Sequence, residues 1–314
     1  MGVKSRLGII IIFITFGLIL ISDLFNRSET PETFTTNIDI IHKVVNERSN
    51  EENNPESLSL LGNIIDAGQK WLSKNLNIWQ LYQNLANPYS RYVVLNSGLR
   101  KEEIAAILSK ELNWNSDERY AFLTTDQIID KRNMEGYYNP GGYLISNSVE
   151  PPTVYKIIMN RFNREVRMRY ATSTAEVINM NLAIKIASII EREAAGAHDM
   201  RLISGVIWNR IFKNMNLEMD ATLQYAKGSN KNGWWPKVKP EDKYIDSPYN
   251  TYKNKGLPPT PISNVSVAAI NAALNPKKTA CIFYLHDRRG NIHCSVTYKE
   301  HQTQIRKYYN NRNP

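Results

Sequence analysis

Leu182-Ala-Ile-Lys-Ile-Ala-Ser-Ile-Ile-Glu-Arg-Glu-Ala-Ala-Gly196 carries two glutamates at the end of an otherwise aliphatic run. At about 100° per residue, Ile178, Leu182, Ile186, Ile189 and Glu193 fall in one sector of a helix. Asn181, Lys185, Ser188 and Arg192 form its only polar window, while Glu191 projects with Ile184 and Ala187. The pattern predicts a mostly buried helix that sends both carboxylates out on apolar sides. A carboxyl among aliphatic side chains resists ionisation, because desolvation penalises the charged form. The helix C-terminus, expected near Gly196, pushes the same way. A glutamic acid held neutral suits general-acid chemistry. The alternative is a structural ion pair with an Arg or Lys elsewhere in the chain.

Working outward, Ser173-Thr-Ala-Glu176 has the S-x-x-E form of a capping box and predicts the start of this helix. Asp199 is placed to cap the next helix, Met200 to Lys213. Upstream, Ile78 to Leu85 reads as helix and Arg91 to Leu95 as strand. Ile104, Ile107, Leu108 and Leu112 then define an amphipathic helix. Glu135 to Tyr143 reads as a Gly-, Asn- and Pro-rich loop, and helical character resumes from Pro152 to Arg169. Downstream, residues 214–264 read as one long loop, followed by a helix over Val265–Leu274, a hairpin around Cys281 and a closing helix over Lys299–Tyr309. No internal repeat is found. The fold class expected is α+β, with helices around a small sheet built partly from the C-terminal hairpin.

The N-terminus, with Lys4 and Arg6 ahead of Leu7 to Ile21, reads as an export segment. No small-x-small cleavage site follows, and the apolar run continues through Leu24-Phe25, which suits a membrane anchor with the N-terminus inside. Cleavage as a signal peptide is the alternative. Residues 26–57, rich in Asn, Glu, Ser and Thr, read as a tether with one short helix around Ile38 to Val45. Lys plus Arg total 39 against 30 acidic residues. In an exported chain that surplus fits an anionic envelope or a solvated basic surface rather than nucleic acid. Cys281 and Cys294 flank a turn, so a disulfide depends on strand register. No CxxC or HExxH spacing supports a metal, and no cofactor is expected.

The loop segment holds Trp234-Trp235, Ser247-Pro-Tyr-Asn-Thr-Tyr252 and Gly256-Leu-Pro-Pro-Thr-Pro261. Aromatic faces suit sugar C–H surfaces, and amides and hydroxyls suit sugar hydroxyls. Asp220, Tyr249, Asn250 and Tyr252 are candidates for lining such a cleft; packing and turn formation are the plain alternatives.

Several strings, in order, resemble the YceG-like endolytic murein transglycosylases (the MltG family). They are Ala187-Ser-Ile-Ile-Glu-Arg-Glu193, Val206-Ile-Trp-Asn-Arg210, Met219-Asp-Ala-Thr222, Ser247-Pro-Tyr-Asn-Thr-Tyr252 and Gly256-Leu-Pro-Pro-Thr-Pro-Ile262. Glu135-Gly-Tyr137 with Pro140, and His293-Cys-Ser295 with Thr297, Glu300 and His301, are similar to flanking elements of that family. The likeness covers about residues 66–309. Cys294 departs from it, standing for a usually aromatic residue, as does Val265-Ser266, where Pro-Gly is usual.

The resemblance implies a cytoplasmic tail (1–6), a single membrane span (7–25), a tether (26–57), a reduced LysM-like module (58–95) and a catalytic region (96–314, core 152–309). It implies cleavage between MurNAc and GlcNAc within nascent peptidoglycan, leaving 1,6-anhydro-MurNAc ends, outside the cell membrane and in the company of peptidoglycan synthases. The catalytic residue it implies is Glu193. With the cleft candidates, the matching motifs give a substrate-binding set of Glu191, Asn209, Asp220, Thr222, Tyr249, Asn250 and Tyr252, with Glu191 in a supporting role. Two other functions fit: a hydrolytic muramidase with Asp220 as second carboxylate, and a non-catalytic wall-binding scaffold.

Overall fold

Ile38-Asp39 (β1) and Val44-Val45 (β2) pair as a small hairpin in the computed structural model, which describes residues 33–47, 89–170 and 172–310. This corrects the short helix expected around Ile38 to Val45; of the expected tether, only residues 33–47 are described. Ile38 and Val45 point into the core beside Phe34. The Phe34 N–H donates to the Arg169 carbonyl at 2.8 Å, and Thr36 Oγ1 donates to the Leu274 carbonyl at 2.7 Å. β-branched residues with long-range backbone partners make a docked hairpin, not a solvated linker. The expected anchor at 7–25 and the helix at Ile78–Leu85 lie outside the described residues. Among the described residues no helix is long and apolar enough to cross a membrane.

From Phe34 onward the described residues form one compact unit of α+β class. Next come β3 (Ser90–Leu95), α1 (Lys101–Leu112), α2 (Ser116–Ile129) and β4 (Gly141–Ser146). Strands β3 and β4 are antiparallel, with Val93 opposite Tyr143 and Arg91 opposite Ile145. Their alternation sends Val93, Leu95, Tyr143 and Ile145 inward against Ile104, Leu108 and Leu112 of α1. Asn115 caps α2, its Oδ1 accepting from the N–H groups of Asp117 and Glu118 at 2.9 Å each. Because β3 finds its partner in β4, the small α+β unit runs from 90 to 146. The boundary expected at residues 95/96 therefore cuts through it. Most of the expected 58–95 module lies outside the described residues.

Pro151–Glu165 forms α3, with proline in its first turn and Val154, Tyr155, Ile158 and Phe162 buried. Then follow α4 (Thr172–Val177), α5 (Met180–Glu193), α6 (Ala197–Phe212) and α7 (Asp220–Lys227). The chain closes with α8 (Val267–Leu274), β5 (Phe283–His286), β6 (Ile292–Ser295) and α9 (Tyr298–Ile305). Helix α5 starts later than the capping-box reading predicts. Asn179 caps it, accepting the Leu182 N–H at 2.9 Å, while Ser173 to Glu176 lie within the separate helix α4. Ile178 is buried in the link between the two helices and belongs to no sector of α5. Helix α5 itself is central, packed by α6, α7 and α8, with Ile184, Ile186, Ile189 and Ile190 buried. Helix α7 and a short 3-10 helix at Pro240–Tyr244 form inside the stretch read as one long loop.

The β5–β6 register sets Tyr284 opposite Cys294, and Cys281 and Cys294 are joined as a disulfide. Gly136, at φ +91°, lies under Pro261: a Cβ there would stand 2.4 Å from the proline Cβ. The Glu135-Gly-Tyr137 element needs its glycine for that close approach.

Candidate active site

Glu193 is the last residue of α5, and the chain leaves the helix at Ala194 in an extended conformation. Its carboxyl is partly buried and held by two donors from other elements. The Ala221 N–H, in the first turn of α7, donates to Oε1 at 3.0 Å. The Tyr284 hydroxyl, from β5, donates to Oε2 at 2.9 Å. Met219, at the N-cap of α7, supplies no side-chain cap, so Glu193 does that work from a neighbouring helix. Among the described residues no Lys or Arg forms an ion pair with it; the groups that bond to its carboxyl are the Ala221 N–H and the Tyr284 hydroxyl.

Desolvation by burial raises the Glu193 pKa above the ordinary 4.5, and the nearby Asp220 charge adds to it. The Ala221 N–H, the Tyr284 hydroxyl and His286 act in the opposite direction. The side chain is thus biased towards its neutral acid while its carboxylate has donors ready, an arrangement suited to giving and retaking one proton.

Asp220, adjacent to Ala221, is exposed, and its Oδ1 accepts the Tyr252 hydroxyl at 2.7 Å. The Lys243 ammonium stands 4.8 Å from the centre of the Tyr252 ring. Asp220 and Tyr252 are the expected binding residues that the structure brings near Glu193.

The others are held in the framework. Glu191 accepts Ser97 Oγ at 2.6 Å, Ser266 N–H at 3.0 Å and Ser266 Oγ at 2.7 Å, tying α5 to the segments ahead of α1 and α8. Asn209 donates to the carbonyls of Thr279 and Cys281 at 2.8 and 2.9 Å and anchors the approach to β5. Thr222 is fully buried and bonds to the Met219 carbonyl and to Thr251 Oγ1. Asn250, also fully buried, donates to the carbonyls of Lys243 and Ile245 and accepts the Tyr252 N–H. Tyr249 sets its ring 4.7 Å from that of Tyr225, tilted by 46°, and bonds to Thr260. For Thr222 and Asn250, which are fully buried, the expected ligand contact is corrected: their polar atoms bond inside the protein, while Glu191 and the Asn209 amide nitrogen are engaged by framework groups. Buried amides and hydroxyls are retained where they satisfy loop backbone that nothing else reaches.

Two neighbours were not anticipated, and Asp199, expected as a helix cap, joins them. Tyr284 and His286 alternate on one face of β5. His286 Nε2 lies 2.6 Å from Asp199 Oδ2, and Asp199, buried in the first turn of α6, also accepts the N–H groups of Ala195 and Gly196 at 3.0 and 3.3 Å. The Tyr-x-His spacing was visible in Phe283-Tyr-Leu-His286, but nothing local says which helix faces it.

The Trp234-Trp235 pair straps the loop to α1 and α5. Arg192 lies 3.8 Å over Trp235, whose Nε1 donates to Glu103 at 2.8 Å. Arg100 sits between Tyr225 and Trp234, at 3.9 and 4.7 Å from the ring centres. Among the described residues no group of three or more His, Cys, Asp or Glu is placed to hold a metal ion.

Comparison with known proteins gives a consistent result. The YceG-like family model matches residues 30–307. A Bacillus subtilis protein named endolytic murein transglycosylase is 29% identical over 273 residues, covering 79% of this chain and 74% of its own length. A Streptococcus pneumoniae protein of the same name is 29% identical over 181 residues, and there the match spans only 33% of the relative. A crystal structure of a putative YceG-like protein from Listeria monocytogenes superposes with a TM-score of 0.60 at 26% identity, covering 68% of this chain and 76% of that one. With most of its length matched by the family model and the same fold in a solved relative, the chain belongs to the YceG-like family.

Proposed function

We propose that this chain is an endolytic murein transglycosylase that cleaves the MurNAc–GlcNAc bond within nascent glycan strands and leaves 1,6-anhydro-MurNAc ends. Family membership and the names of the Bacillus and Streptococcus relatives support the general activity. The observation that carries the chemistry is Glu193: a partly buried carboxyl with a raised pKa, no cationic partner among the described residues, and donors on both oxygens. Glu193 gives its proton to the glycosidic oxygen as the C1–O bond breaks. Its carboxylate then takes the proton of the C6 hydroxyl as O6 bonds to C1. One proton leaves and one returns, so a single carboxyl serves both halves. The nucleophile belongs to the substrate, which gives the attack a proximity advantage over water. Hydrolytic glycosidases, by contrast, use two carboxyls flanking the bond.

Further parts of the reading are a membrane anchor at 7–25 with the N-terminus cytoplasmic, a catalytic region outside the membrane, and action beside the synthases that extend the strand. The basic balance of the chain suits an anionic envelope.

The test is mass spectrometry of murein incubated with the wild-type protein and with Glu193→Gln. Anhydro-ended fragments from the wild type alone are the expected result. Reducing ends would mean hydrolysis, with the exposed Asp220 as second carboxylate. Undiminished cleavage by the Gln variant would remove Glu193 from the mechanism.

A further inference from the structure

Of the two donors on Glu193, one is fixed and one can turn. The Ala221 N–H belongs to the α7 backbone and can only donate in one direction. The Tyr284 hydroxyl rotates about its C–O bond and has a second acceptor within reach, Met219 Sδ at 3.5 Å. We infer that Tyr284 is the positioning residue that lets Glu193 alternate between acid and base, donating to Oε2 while the side chain is a carboxylate and turning to Met219 Sδ when Glu193 carries its proton. This deepens the transglycosylase reading above and rests on it.

The argument is one of differential interaction. A donor that binds both protonation states equally leaves the barrier unchanged; one that strengthens as charge develops lowers it. As Glu193 loses its proton to the glycosidic oxygen, the Tyr284 hydrogen meets a full negative charge 2.9 Å away across the heavy atoms. Before that moment the thioether keeps the same hydrogen from being stranded. No proton leaves the tyrosine at any stage: burial, and the Glu193 charge after it, hold its own ionisation well above the usual tyrosine range.

The placement of the ring is built into the fold. β5 is paired with β6, Tyr284 lies opposite Cys294, and the bond from Cys294 to Cys281 closes the hairpin on the other side of Tyr284 in sequence. His286, held by Asp199, meets the Tyr284 ring edge-on at 5.9 Å between centres. The hydroxyl is thus delivered from a rigid strand to the end of a rigid helix.

The charged and titratable groups facing the pair are Asp220 on α7, His286 on β5, Arg192 on α5 and Arg210 on α6, with Tyr252 from the loop. All remain in a Tyr284→Phe variant, which removes a single oxygen. With the full chain acting on murein, this variant should lose about ten- to a hundredfold in kcat, the range for a hydrogen bond to a charged group, with KM little changed. The alkaline limb of kcat/KM should move to higher pH, because a carboxylate with one donor fewer gives up its proton less readily. Fluorotyrosine placed at 284 keeps the shape, strengthens the donor and should move the limb to lower pH. A limb that stays still in both proteins overturns the inference, and the fluorotyrosine protein decides alone if the Phe variant does not fold. The two readings fail separately. Activity surviving in Glu193→Gln defeats the transglycosylase assignment, whereas a dead Gln variant with unmoved limbs in both position-284 proteins defeats only the role given to Tyr284.

Discussion

Glu193 accepts the backbone N–H of Ala221 at 3.0 Å, so the last residue of α5 caps the first turn of α7. The same side chain is framework and, in the proposed function, reagent, and substitution should separate the two. Glu193→Gln keeps an acceptor for Ala221 and should melt within a degree or two of the wild type. Glu193→Ala leaves the α7 terminus bare and should cost about 1 kcal/mol. Thermal denaturation of both variants, each lacking cleavage activity, checks this; equal melting would mean that the cap contributes nothing.

Asn250 and Tyr252 stand two residues apart with opposite duties. Asn250→Ala strands the Lys243 and Ile245 carbonyls and should cost about 2 kcal/mol of stability. Its KM should stay near that of the wild type. Tyr252→Phe frees the exposed Asp220 carboxylate and should change turnover while leaving the melting curve in place. Paired kinetics and calorimetry on the two variants provide the comparison.

Reduction of Cys281–Cys294 should be felt at the site. The bridge spans 13 residues, a loop whose closure is worth about 3 kcal/mol. It also secures the strand that presents Tyr284. A Cys281→Ser, Cys294→Ser double variant should melt earlier and turn over more slowly, and added reductant should bring the wild type to the same values. A reduced wild type with unchanged turnover would show that pairing in β5–β6 is enough.

Glu135 predicts a pH dependence of stability away from the chemistry. Burial, reinforced by the neighbouring Glu102 charge, pushes its carboxyl from 4.5 up to about 8. Between those two values the folded chain keeps a proton that the unfolded chain has released. Stability therefore falls as pH rises across that window, at about 1.4 kcal/mol per pH unit for one proton. Glu135→Gln should flatten that part of the curve, measured by denaturant titration at a series of pH values. An unchanged slope would place the proton elsewhere.

The end of α5 was readable because helical periodicity is a local property: Glu193 follows an aliphatic run, and its partly buried, desolvated state follows from that. Its partners were not, since Ala221 and Tyr284 come from elements that meet only in the tertiary fold. Asn209, Thr222 and Asn250 show the limit from the other side. A sequence displays an amide or a hydroxyl in a suggestive motif, but whether it faces a ligand or a stranded carbonyl is decided by packing. The start of α5 shows competition between signals. Ser173-Thr-Ala-Glu176 has the right form, yet it lies in α4, and Asn179 provides the working cap. The hairpin at Ile38–Val45 was obscured by its polar surroundings, because its stability comes from distant carbonyls at Arg169 and Leu274.

Glu191 couples three segments of the chain. Its carboxylate is gripped by serines that precede two different helices, Ser97 before α1 and Ser266 at the head of α8. A shift of either segment would therefore be felt in the final turn of α5, two residues from the Glu193 carboxyl.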